Sequence, residues 1–153
     1  MSSKAPSASQ TSNQSSNQPR NQNRHQSREL ALQILFQIEF APQISSAEFL
    51  EVFEQSCSQE VIDYAEMLIN GVKLHAEPID ALIQSTSQHW KISRMAIVDR
   101  NILRMSVFEM RFMAEPLTKN IAIDEAVELA KRYSTTESAS FVNGLLDQIA
   151  KEA

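Results

Sequence analysis

Glycine is almost missing from this chain. Of 153 residues only Gly71 and Gly144 are glycine, and they stand far apart. Phosphate-cradling loops need closely spaced glycines, because the backbone must reach an anion with no side chain in the way. A Walker loop and a dinucleotide fingerprint are thereby excluded. The tight hairpins of an all-β fold would also call for more glycine. Cysteine is scarcer still. Cys57 alone cannot close an internal disulfide, which fits a reducing compartment. No apolar run is long enough to span a bilayer, and the N-terminus has no apolar core of a secretory signal. The expectation is a cytoplasmic protein without membrane contact.

Site chemistry is also thin. His25, His75 and His89 have no metal-ligand spacing, and Cys57 has no nearby partner, so neither a metal nor a cofactor is expected. No strained nucleophile motif is present. Glu125 and Glu128 lie one turn apart like a paired-carboxylate site. Acids in the first turns of a helix are common for a simpler reason, the positive end of the dipole. The chain is not expected to be an enzyme.

What remains is enough for one domain: 42% apolar residues and a net charge of -5. That charge is unevenly placed. Residues 1–28 hold Lys4, Arg20, Arg24 and Arg28 and no acid, whereas all 19 acids follow. The later part carries a net charge of -9. A basic arm on an acidic body can bind a polyanion that the body would repel. Residues 2–27 contain eight Ser, five Gln and four Asn, with no aromatic or large aliphatic side chain. Such composition buries too little surface to offset ordering entropy. Residues 1–26 are therefore expected to be a disordered tail, and 27–153 the folded domain.

From Ser27 onward the apolar period is helical. Ser27 is a candidate N-cap, with Leu30, Ala31, Ile34, Leu35 and Ile38 as one stripe ending at Pro42. Ser46 and Ser58 can cap the next two helices. Pro78 is expected to break or kink the pattern, which resumes through Ile83 to about Ser87. Trp90 lies in a link, a brief helix starts near Ser93, and a longer one runs from Asp99 to Met113. Glu115-Pro116-Leu117 reads as a turn. Ile123 to Tyr133 and a segment capped by Ser138 complete the set. The expected fold is all-α, with about seven helices. Gly144 in the last helix costs propensity, so close helix packing is expected there, with Asn143 bonded across to a neighbour.

The clearest functional signal is the spacing of Arg20, Arg24 and Arg28. Residues four apart share a helix face if the helix extends back past Ser27, and His25 stands beside them. Guanidinium groups bind phosphate bidentately and stack on bases. A basic flank that only solubilises the tail is the plainer alternative.

Three blocks resemble the NusB family of bacterial antitermination factors. They are residues 28–39 (RELALQILFQIE), residues 97–109 (IVDRNILRMSVFE), and 121–133 (IAIDEAVELAKRY) followed by 138–147 (SASFVNGLLD). The resemblance spans about residues 24–150. It implies two packed helical sub-bundles and no catalytic activity. It implies binding of boxA RNA of ribosomal RNA operons with NusE, a small-subunit ribosomal protein, beside other Nus factors and RNA polymerase. Arg24 and Arg28 match the arginine-rich start of the first helix. Phe141 matches an RNA-facing aromatic, and Glu137 an acid near that surface. Asp99 and Arg100 match the region that docks NusE, with Asp99 also a candidate helix cap. Arg104 and Glu109 read as surface or inter-helix ion pairs. The resemblance is compatible with a monomer or a homodimer. NusB-like domains also open some RNA methyltransferases, whose catalytic domain would not fit in 153 residues. A helical protein-interaction module without direct RNA binding is the other alternative.

Overall fold

A computed structural model of the protein describes residues 8–152, with side chains from Arg20 onward. Seven α-helices follow one another: α1 (Ala8–Phe40), α2 (Ser46–Phe53), α3 (Gln59–Leu74), α4 (Ala76–Thr86), α5 (Ile97–Arg111), α6 (Lys119–Tyr133) and α7 (Thr136–Lys151). A single 3₁₀ turn, Ile92–Arg94, lies between α4 and α5. No strand occurs among the described residues.

α1 lies mainly on α3, with α2 bracing both, while α6 and α7 pair beside α4 and α5. α5 touches α1 and α3 on one side and α6 and α7 on the other, joining the two sub-bundles. Its residues explain that position. Ile102, Leu103, Met105, Val107 and Phe108 are all buried, so apolar side chains leave the helix in several directions. A helix apolar nearly all round belongs inside. Each such side chain contributes about 1.5–3 kcal/mol when fully buried.

Several helix starts differ from those expected. Ser27 is no cap. α1 begins at Ala8, ahead of it, and the Ser27 hydroxyl is buried with its Oγ 2.8 Å from the carbonyl oxygens of both Asn23 and Val61, either of which can accept its proton. The Asn23 amide donates to Glu60 of α3. The part of the expected tail at residues 1–7 lies outside the described residues. Ser45, not Ser46, caps α2, whereas Ser58 caps α3 as expected. Pro78 sits inside the first turn of α4, where its missing N–H leaves no helical bond unmade, and the break falls at His75. Thr135, not Ser138, caps α7.

The glycines exchange roles. Gly144 is exposed, with nothing within 4 Å of the position a Cβ would take, and Asn143 is exposed too. The close approach is at Gly71, where a Cβ would run into the Phe108 ring. α3 and α5 meet there only because Gly71 has no side chain.

Candidate nucleic-acid interface

Arg20, Arg24 and Arg28 do share a face of α1. With Asn21 they line a cleft of about 220 Å³ together with Tyr64, Leu117, Ile121 and Glu125. Along this row the chain passes from solvent into the core. Arg20 is exposed. The Arg24 guanidinium lies over the Tyr64 ring, 4.0 Å from its centroid, with Glu60 4.0 Å away. A cation on an aromatic face keeps its edge donors available. His25 is turned to the neighbouring cleft, formed with Glu125, Glu128, Leu129 and Arg132, and its Nδ1 is 2.6 Å from Glu125.

Arg28 departs from the expectation of an outward phosphate ligand. It is 4% exposed. Its Nε and Nη2 donate to the carboxylate of Glu109, itself 2% exposed, at 2.9–3.1 Å. The Tyr64 hydroxyl donates to the same carboxylate at 2.5 Å. Burial opposes the Arg28 charge, but the hydrogen bond and charge of Glu109 outweigh it and hold its pKa above the ordinary value. Burial pushes the Tyr64 hydroxyl up, and the adjacent Glu109 charge pushes it further, so the phenol stays protonated. Arg28 is thus an anchor seating α1 on α3 and α5. Its Nη1 lies 3.3 Å from Glu125, which lines the cleft with it. Glu125 itself sits beyond the first turn of α6, which starts at Lys119, so the dipole does not explain it.

A second cluster forms where the 3₁₀ turn meets α5 and α7. A cavity of about 320 Å³ is lined by Trp90, Met95, Asp99, Glu137, Ser138 and Phe141, among others. Phe141 is half-buried: it lines this cavity and also packs on the core. Asp99 does not cap α5. Ala96 holds that position, and Asp99 is buried in the first turn, accepting a hydrogen bond from Ser138 at 2.8 Å. Arg100 is likewise turned inward, to Glu39 at 2.8 Å and the carbonyl of Ile92. Arg104 holds Asp80 with two hydrogen bonds and also reaches Glu39, an inter-helix pair as expected.

The first turn of α5 instead offers Val98 to the surface. Val98 joins Leu32, Phe36 and Tyr133 around an apolar hollow of about 360 Å³, with the Phe40 ring tilted at 57° against Phe36 at a centroid distance of 5.1 Å. Phe40 is 66% exposed. Tyr64, Trp90 and this face were missed in the sequence. The available signals were the single Trp in a link, and Leu32, Phe36 and Phe40 recurring at helical spacing outside the Leu30–Ile38 stripe. Among the described residues no cluster of His, Cys, Asp and Glu could hold a metal, and no helix is long and apolar enough to cross a membrane.

The NusB family model matches residues 25–151, which covers all of this geometry except its Arg20–Arg24 edge. The chain belongs to the NusB family. The transcription antitermination protein NusB of Bdellovibrio bacteriovorus is 64% identical over 113 residues, 74% of this chain and 84% of that one. The structure of T. maritima NusB superposes with a TM-score of 0.77 at 36% identity, covering 84% of this chain and 91% of that one. A chain from the crystal structure of antitermination factors NusB and NusE in complex with dsRNA matches with a TM-score of 0.73 at 29% identity. It covers 86% of this chain and 98% of the other. The seven-helix, two-sub-bundle arrangement is therefore the NusB fold.

Proposed function

We propose that this chain is a transcription antitermination factor that binds boxA RNA of ribosomal RNA operons jointly with NusE, without a catalytic step. The observation that carries the reading is the exposed cationic edge of α1. Arg20 and Arg24 line a cleft with Tyr64, and His25 lies in the adjoining cleft, on an otherwise acidic protein. Local cations are what a phosphate backbone needs, whatever the overall charge. The second RNA contact is assigned to the Trp90–Phe141 cavity, which offers rings for stacking an unpaired base.

NusE is assigned to the apolar face of Phe36, Phe40, Val98 and Tyr133. Asp99 and Arg100 flank Val98 in the first turn of α5, with Asp99 bonded to Ser138 and Arg100 to Glu39. Contiguous exposed aromatics on a small domain mark a protein interface. The NusB–NusE–RNA structure supports a shared complex, in which NusE brings its own RNA-binding groups and so raises the effective concentration. Other Nus factors and RNA polymerase complete the assembly in this reading, and a homodimer on the same apolar face would compete with NusE.

The test is RNA binding to boxA and to a scrambled RNA, with and without NusE. NusE is expected to tighten boxA binding more than scrambled binding. Phe40→Asp is expected to abolish that enhancement while RNA binding alone and melting temperature stay nearly unchanged, because an exposed substitution moves stability by about 0.5 kcal/mol or less. An unchanged NusE effect in Phe40→Asp refutes the docking face. An absence of RNA binding under all conditions favours the protein-interaction module.

A further inference from the structure

Two carboxylates face Arg28, and they are placed differently. Glu109 is sealed in the core and takes Nε and Nη2 in a forked pair. That arrangement already satisfies the buried charge. Glu125 is a second acid that neutralisation of Arg28 does not require. Its side chain is 19% exposed at the rim, 2.6 Å from His25 Nδ1 and 3.3 Å from Arg28 Nη1. It also lines both basic clefts, the one of Arg20, Arg24 and Arg28 and the one of His25 and Arg132. Glu128 is the other acid of the second cleft. A phosphate seated at the rim between the clefts would compete with Glu125 for His25 and Arg28 Nη1.

We propose that Glu125 is a built-in competitor for RNA phosphate: it holds His25 and the free edge of Arg28, and RNA binds there by displacing it. This rests on the α1 edge being the RNA site. Competition of this kind lowers affinity for every RNA alike, so an RNA must also be held elsewhere, at the Trp90–Phe141 cavity or through NusE, to bind stably. Glu125 then sets a threshold for stable binding, and the ratio of affinities between RNAs is left to those other contacts. Its counterpart on the other flank, Glu60, is 4.0 Å from Arg24 and more exposed, so the same effect is weaker there.

The experiment uses the full chain and a single-stranded scrambled RNA, titrated at several salt concentrations. The variants are Glu125→Gln, Glu60→Gln and Arg24→Ala, each with a melting curve. Glutamine keeps the volume and one acceptor for His25 and Arg28, so α1 stays seated. Glu125→Gln is expected to bind about threefold tighter or more, the equivalent of one exposed ion pair. The patch gains one net positive charge, so the log-log salt slope is expected to steepen by up to about 0.7. Glu60→Gln is expected to change less. If Glu125 only positions the arm, Glu125→Gln binds more weakly and its slope does not steepen, and the proposal is overturned while Arg24→Ala still loses affinity. If Arg24→Ala and Glu125→Gln both bind as the parent does, the α1 site itself fails, and the competitor with it.

Discussion

Tyr64 links two arginines of the arm to the core. Its ring supports Arg24, and its hydroxyl completes the coordination of Glu109 begun by Arg28. Removing the hydroxyl leaves a buried carboxylate one donor short. Tyr64→Phe is therefore expected to cost about 1.5–3 kcal/mol at neutral pH, read by urea denaturation. The pH dependence has a definite sign. The folded phenol titrates above its ordinary 10.0, so the unfolded state loses its proton first as pH rises. Stability from this group is full below 10.0 and is lost progressively as pH climbs from there toward the raised folded value. Tyr64→Phe lacks that titration, so its deficit against the parent is expected to shrink above about pH 10. A constant deficit there would contradict the burial of the phenol against Glu109. The sequence showed the arginine spacing, yet it did not show that Arg28 faces inward. That depends on Glu109 and Tyr64, which stand 81 and 36 positions away and are brought together only by packing.

At the scale of helices, periodicity was informative and capping less so. Buried stripes such as Val61, Ile62, Ala65, Leu68, Ile69 and Val72 mark α3 in the sequence as in the structure. Caps fell one to three residues away because Ser, Thr and Asp are chemically suited to several nearby positions. Ser46 stands beside the real cap Ser45, and Asp99 stands three residues into α5 with a tertiary partner in Ser138. Ser27 looks like a cap for the same reason, although its hydroxyl is used between helices. Gly144 and Gly71 look alike in a sequence, since only the facing helix distinguishes them. Opposite responses are expected on substitution. Gly144→Ala should raise stability by up to about 1 kcal/mol, because an exposed helix interior prefers Ala. Gly71→Ala should lower it by about 1–3 kcal/mol, because the new methyl meets the Phe108 ring. Thermal unfolding of the two variants checks both, and equal effects would refute the close approach of α3 to α5.

For the whole molecule, the proposed function depends on charge concentrated at one edge. An acidic body that binds RNA must do so through a local patch, and a local patch neutralises a small, measurable number of phosphates. The NusB fold was legible from its three blocks of sequence. The partition of its surface was not, because Glu60, Glu125 and Glu109 each meet the arm from a different helix. The most direct measurement is the salt dependence of boxA binding by the parent and by Arg20→Ala with Arg24→Ala, two positions at the solvent-facing end of the row. The account expects weaker binding of boxA and scrambled RNA alike. On single-stranded RNA the log-log slope should flatten by about 0.7 for each arginine that no longer neutralises a phosphate. A slope equal to that of the parent, at unchanged melting temperature, would contradict the placement of RNA on α1.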